Sequence, residues 1–192
     1  MAEVKRLIIG MSGASGSRLA WRLLQVLSAC EQAETYLIMS EGAKRTWSLE
    51  MDIPLSDLLM LCDYVLPVED ISACCASGSF EHAGMIVVPC SMKSIAAIAN
   101  GYAENLLLRS ADVTIKEQRP LLLMFRENPL SAVHLENLCR LSRIPAVHLM
   151  PMMMTYYQKP QTIEEMEDAL IGKLLHVFHI SYDRYNRWQQ NP

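Results

Sequence analysis

Arg6-Leu7-Ile8-Ile9-Gly10-Met11-Ser12-Gly13-Ala14-Ser15-Gly16, with Leu19, Leu23, Leu24 and Leu27 following at helical spacing, decides how the rest of the chain is read. An apolar run with two β-branched isoleucines, a glycine-rich turn and an amphipathic stretch predict strand, tight turn and helix in that order. Gly10, Gly13 and Gly16 let the backbone turn sharply and approach a neighbour with no β-carbon in the way. The first N–H groups of the following helix lack intrahelical partners and sit at the positive end of its dipole, so an electron-rich group belongs there. The spacing is G-x-x-G-x-x-G, followed by hydroxyls rather than by Gly-Lys-Ser/Thr. Neither a dinucleotide fingerprint nor a P-loop is satisfied. On this turn alone, a ligand-free β–α connection and a phosphate or flavin site stand level.

Outward from that turn, strands and helices alternate. Thr35–Met39 is expected as a second strand ending at Ser40, with helices over Gly42–Glu50 and Ser56–Cys62. Pro67 confines Tyr64–Val68 to a sheet edge. Asp70–Ser79 reads as a loop of small residues. Met85–Val88 is a fully apolar strand that Pro89-Cys90-Ser91 is expected to end, and Ser91 N-caps a helix through Ala99. Helices over Glu104–Ile115, Ser131–Leu141 and Thr162–Phe178 alternate with strands Leu121–Phe125 and Ala146–Leu149, and Tyr182–Trp188 is a short aromatic and basic tail. Apolar, non-alternating strands separated by helices predict a parallel sheet covered on both faces. The fold class is therefore α/β: one doubly wound, flavodoxin-like or Rossmann-like three-layer domain over residues 1–192. The C-terminal helix and tail, about 162–192, are expected to pack on neighbouring subunits.

Composition bounds the function. The 192 residues are 51% hydrophobic and 20% charged, those of a globular chain with a sizeable core. A net charge of −4 argues against nucleic acid as the main partner. Cys30, Cys62, Cys74, Cys75, Cys90 and Cys139 form no C-x-x-C pair and no zinc spacing, so no metal is expected and buried reduced thiols are the default. No apolar stretch reaches membrane-spanning length, and the N-terminus leads straight into a strand without a secretory h-region. A cytoplasmic location is expected.

Ligands of such a sheet bind beyond the carboxyl ends of its strands. The first strand delivers Gly13-Ala14-Ser15 there. The second delivers Ser40, with Glu50 one helix on. The central strand delivers Cys90, Ser91 and Met92, with Ala76-Ser77 just before it. The next two lead to Arg126-Glu127 and to Tyr156-Tyr157. Small residues and hydroxyls suit a flat cofactor with a phosphate tail, and nothing supplies a nucleophile–His dyad or a metal cage.

Gly13-Ala14-Ser15-Gly16, Ala76-Ser77-Gly78-Ser79, Pro89-Cys90-Ser91-Met92-Lys93, the run Gly101–Glu117 and Arg126-Glu127-Asn128-Pro129-Leu130-Ser131-Ala132-Val133-His134-Leu135-Glu136-Asn137 together resemble the UbiX/Pad1 family of flavin prenyltransferases. The likeness runs from Arg6 to Trp188. It implies metal-independent transfer of a dimethylallyl group from dimethylallyl phosphate to N5 and C6 of reduced FMN. The product, prenylated FMN, would serve a UbiD-type decarboxylase. It also implies a dodecamer with active sites where subunits meet.

By the same resemblance Gly13, Ala14, Ser15, Ser40, Ser91, Met92 and Arg126 are cofactor-binding residues for FMN, and Arg109 lies near its phosphate. Ala76 and Ser77 form the wall beside the ring and the donor. Lys116, Arg126, Tyr157 and Lys173 form the donor-phosphate clamp. Glu50 and Glu127 move protons with Ser15 beside them, and Trp188 closes the pocket. The chain departs from the family pattern at Lys173, where an Arg is usual, and at Pro151-Met152-Met153-Met154-Thr155. The alternative is a non-catalytic FMN-binding accessory subunit of an aromatic acid decarboxylase. A cysteine decarboxylase of related fold is disfavoured, since it needs a His near the first helix and the first His here is His82.

Without the resemblance, several of these residues have plainer readings. Arg109 and Lys116 would be a solvated basic face, Glu50 a solvated helix-end carboxylate, and Trp188 a packing aromatic. His134 is expected to pack or to make a structural hydrogen bond rather than act as a base.

Overall fold

The computed structural model describes residues 4–185. The chain divides into two compact units, Met1–Pro151 and Met152–Pro192.

The first unit is built on six parallel strands: β1 Lys5–Met11, β2 Ala33–Met39, β3 Tyr64–Leu66, β4 Gly84–Cys90, β5 Leu121–Phe125 and β6 Val147–Pro151. Their order is β3-β2-β1-β4-β5-β6. The order reverses between β1 and β4, and the crevice that opens at such a reversal is where open α/β sheets bind ligands. Every residue of β4 and β5 is buried, which is why these strands read as unbroken apolar runs. Edge strand β3 pairs with β2 only over Tyr64–Leu66, its ladder ending one residue before Pro67.

Helices α1 Ser17–Ser28, α2 Glu41–Glu50, α3 Leu55–Leu59, α4 Met92–Ala99, α5 Leu106–Lys116 and α6 Ala132–Ser142 belong to this unit. Their starts follow from side-chain caps. Ser40 accepts from the Ala43 N–H, Ser91 from Ser94, Asn105 from Leu108 and Ser131 from His134. His134 returns the favour through Nδ1, which accepts from the Ser131 N–H at 3.2 Å, so its role is indeed a structural hydrogen bond.

Three sequence expectations are corrected. Strand β4 does not stop at Pro89 but runs on to Cys90; a register shift between Val87 and Cys90 accommodates the residue that has no N–H to donate. Helix α5 starts at Leu106 rather than Glu104, because Asn105 is its cap. Only Cys75 and Cys90 of the six free thiols are buried, while Cys74 and Cys139 are exposed on a short 3₁₀ turn and on α6.

The second unit holds α7, Ile163–Val177, capped by Thr162 and with Glu167, Asp168, Leu170, Ile171, Gly172, Leu174 and Leu175 buried. Tyr182 donates its hydroxyl to Asp168 at 2.6 Å, fastening the segment after the helix to α7. No helix among the described residues is long and apolar enough to cross a membrane.

Candidate active site

The loop after β1 is fastened to the end of β4 by one hydroxyl. Ser12 donates Oγ–H to the Pro89 carbonyl at 3.1 Å and accepts the Ser91 N–H at 2.7 Å. Ser12 is buried, and its neighbour Gly13 touches the start of α2. A β-carbon on Gly13 would stand 3.1 Å from the Gly42 Cα and carbonyl carbon, so the two backbones meet with no room for a side chain. These contacts bring the ends of β1, β2 and β4 together at the strand reversal.

A cavity of about 580 Å³ opens there. Its wall includes Ser12, Gly13, Ser40, Gly42, Ser91 and Ser94, with Asn105, Leu107 and Leu108 from the start of α5. The N-termini of α2, α4 and α5 therefore share one cavity, and each directs a positive dipole end and spare N–H groups into it. Lys93 adds a cation, tied to Glu104 at 3.4 Å. Glu41, also at the rim, is paired with Lys44. The volume lies in the range of cofactor sites, and the glycine-to-glycine cradle, hydroxyls and helix starts fit a flat ring system carrying a phosphate.

The N-terminus of α1 is filled from within. Glu50 Oε2 accepts the Gly16 N–H at 3.0 Å and the Ser17 N–H at 2.8 Å. Burial raises the Glu50 carboxyl, but hydrogen bonds from the Ser15 hydroxyl and from the Gly16 and Ser17 backbone outweigh it and leave the group below its ordinary value. The electron-rich group expected at this turn is thus the chain's own carboxylate, held ionised and beside Ser15.

Of the residues read from sequence, Gly13, Ser40 and Ser91 line the cavity. Ala14 and Ser15 follow Gly13 on the same loop. Met92 buries its side chain in the core and does not line the cavity. Arg126 and Glu127 follow β5, where the Arg126 N–H joins the Cys90 carbonyl at 3.3 Å. The Arg126 guanidinium is exposed and has no hydrogen-bond or ion-pair partner among the described residues. Glu127 accepts the Asn128 N–H.

A second group gathers along α5 and does not line the cavity. Arg109 donates Nε–H to the Ala76 carbonyl at 3.2 Å and pairs with Asp112 at 2.7 Å. Lys116 lies 3.2 Å from Glu117. It is eight residues beyond Leu108, hence about 12 Å further along the helix axis. Tyr157 and Lys173 are exposed residues of the second unit. Trp188 lies outside the described residues. Sequence reading missed Ser12, Gly42, Ser94 and Asn105. The polar residue directly before the apolar run at Leu106 was the available signal for Asn105.

The glycine cradle at a strand reversal, three helix starts and a ring of hydroxyls define a flavin-binding α/β protein. The family model described as Flavoprotein matches residues 1–177. A probable UbiX-like flavin prenyltransferase of Sedimentibacter hydroxybenzoicus is 45% identical over 184 residues, spanning 96% of this chain and 97% of the relative. The crystal structure of AnUbiX (PadA1) in complex with FMN and dimethylallyl pyrophosphate superposes with a TM-score of 0.94 at 38% identity, covering 99% of this chain and all of that one. A dodecameric FMN-dependent UbiX-like decarboxylase from Escherichia coli O157:H7 follows at 0.93 and 42%, covering 96% of this chain and all of its own. The chain belongs to the flavoprotein family and, within it, to the UbiX/Pad1 flavin prenyltransferases.

Proposed function

We propose that this protein is a flavin prenyltransferase that moves a dimethylallyl group from dimethylallyl phosphate to N5 and C6 of reduced FMN, making prenylated FMN for a UbiD-type decarboxylase. The observation that carries the reading is the cavity at the β1–β4 reversal, with its Gly13–Gly42 cradle, its hydroxyls and three helix N-termini. Reduced FMN, when bound, supplies the electron-rich ring that accepts the prenyl group.

The chain's part is binding, charge neutralisation and proton handling. Gly13, Ala14, Ser15, Ser40, Ser91 and the Met92 N–H would hold the flavin. Phosphate leaves an allylic carbon only when its charge is balanced. Lys116, the exposed Arg126 fork, Tyr157 and Lys173 are the groups assigned to that, by charge-assisted hydrogen bonds. Lys173 carries charge without a bidentate fork, a difference that bears on donor affinity and on the choice between phosphate and pyrophosphate donors. Glu50, ionised and hydrogen-bonded beside Ser15, is assigned to assist proton transfer near N5, and Glu127, beside Arg126, to the protons of the phosphate and the ring.

The Lys116 group stands apart from the cavity of its own chain, which supports a site completed by a second copy in a homo-oligomer, a dodecamer like the neighbour just described. The C-terminal segment from about 162 is assigned to that packing, with Trp188 closing the pocket. A cytoplasmic location fits the need for reduced flavin.

The test is anaerobic incubation of the protein with reduced FMN and dimethylallyl phosphate, read by mass spectrometry. FMN heavier by one five-carbon unit is expected. Unmodified FMN with intact donor overturns the activity and leaves a flavin carrier.

A further inference from the structure

Two arginines hold one short segment by alternate carbonyls. Arg109 donates to Ala76 at 3.2 Å, and Arg119 donates Nη2–H to Gly78 at 3.1 Å and Nη1–H to Phe80 at 2.7 Å. The intervening serines turn to each other, with the Ser77 and Ser79 hydroxyls 2.8 Å apart. Arg119 is itself posed by the end of α5. Gln118 adopts a left-handed φ of 56°, its N–H reaches the Ile115 carbonyl, and the Arg119 N–H reaches that of Thr114. That double bond pattern is a Schellman turn, which fixes the direction in which Arg119 leaves the helix. At the far end of the segment, the Phe80 ring packs edge-on against Tyr36 at 5.0 Å and lies under the Arg6 guanidinium. The Glu117 carboxylate lies over Gly78, where a β-carbon would collide with it.

We propose that Arg119 is a positioning residue for the prenyl donor: by holding the Gly78 and Phe80 carbonyls it sets the height of the Ala76–Ser77 wall and so limits the length of allylic chain the site admits. The inference rests on the reading of Ala76 and Ser77 as that wall. One planar guanidinium bonding two carbonyls fixes orientation as well as distance. Without it the segment keeps one side-chain hydrogen bond from outside, Arg109 on Ala76, with the Phe80 ring anchoring only its far end, and the wall is free to retreat.

The experiment compares dimethylallyl phosphate with its ten-carbon homologue, geranyl phosphate, in wild type, Arg119→Leu and Arg119→Lys. Flavin fluorescence quenching gives the FMN Kd, and thermal unfolding gives Tm. Arg119→Leu is expected to leave the FMN Kd within about twofold, because none of residues 76–80 lines the flavin cavity. The ratio of kcat/KM for the five-carbon over the ten-carbon donor is expected to fall roughly tenfold, as a hydrophobic pocket loses its length limit. Arg119→Lys, which keeps the charge and can serve one carbonyl, is expected to restore part of the ratio. Equal losses on both donors with a matching fall in Tm mark a merely structural role and overturn the proposal, as does an unchanged ratio. If Arg119→Leu does not fold, the ratio measured for Arg119→Lys decides alone. A wild type that transfers neither donor overturns the activity and this proposal together. A wild type that prefers the short donor, with variants that keep the preference, overturns this proposal only.

Discussion

Glu50 Oε2 sits 2.8 Å from the Ser17 N–H, so a carboxylate from the end of α2 caps the first turn of α1, 33 residues earlier. A negative group at a helix N-terminus is worth about 0.3–1 kcal/mol, and the hydrogen bonds add to it. Glu50→Gln keeps the shape and removes the charge. We expect it to lower stability by about 1 kcal/mol in urea unfolding. The carboxyl is depressed in the folded state, so its contribution is complete above about pH 4.5 and is lost as pH falls through the lower folded value. Glu50→Gln should therefore unfold with less dependence on pH in that acidic window than wild type. Parallel curves for the two proteins would refute the charge role.

The Gly13–Gly42 contact separates flavin binding from stability. Gly13→Ala places a methyl group 3.1 Å from backbone that cannot rotate away, so the two loops must part. The shift needed is small, but it falls on backbone of the cradle itself, and FMN binding is expected to weaken several-fold. Fluorescence quenching checks this, and unaltered affinity would mean that the cradle does not touch the flavin.

His82 supplies a second acid-side signature. Burial, and then the positive charge of Arg119, push its imidazole down to about 4, against a weaker upward pull from the Gly84 backbone. A depressed histidine favours the fold fully above its ordinary value of about 6.5, and the contribution drains away as pH falls from there towards 4. Urea midpoints measured from about pH 7 to about pH 4.5 should fall, and the fall should be smaller in His82→Phe. Identical pH profiles would show that the ring is solvated.

Gly172 lies inside α7, where alanine would ordinarily gain about 1 kcal/mol. Here a β-carbon would run into the Tyr185 side chain, which crosses the helix at that point. Gly172→Ala is expected to be destabilising by about 1–3 kcal/mol, the usual range for overpacking. The double variant Gly172→Ala/Tyr185→Ala should recover most of the loss, a cycle that unfolding measurements can close.

Local chemistry wrote the fold openly. The Leu7-Ile8-Ile9, Ile86-Val87-Val88 and Leu121–Phe125 runs announce buried parallel strands, because a strand covered on both faces has no reason to alternate. Ser40, Ser91 and Ser131 announce helix starts, because a cap acts within three residues of itself. Pro89 misled, since a bulge lets a strand pass a residue without an N–H. Asn105 was legible too, as the polar residue before the apolar run, although the expected boundary at Glu104 lies two residues early.

The chain alone determined the strand–helix alternation, the edge at which the strands deliver their loops, and the residue types that reach it. Those depend on periodicity and capping, which act over a few residues. Tertiary structure decided the rest: that Glu50 fills the turn which seemed made for a ligand, that Gly13 meets Gly42, that Arg109 and Arg119 grip alternate carbonyls of residues 76–80, and that Lys116 stands apart from the cavity of its own chain. Each is a contact between segments remote in sequence, set by how far a helix carries a side chain along its axis and by which loops the sheet order brings together.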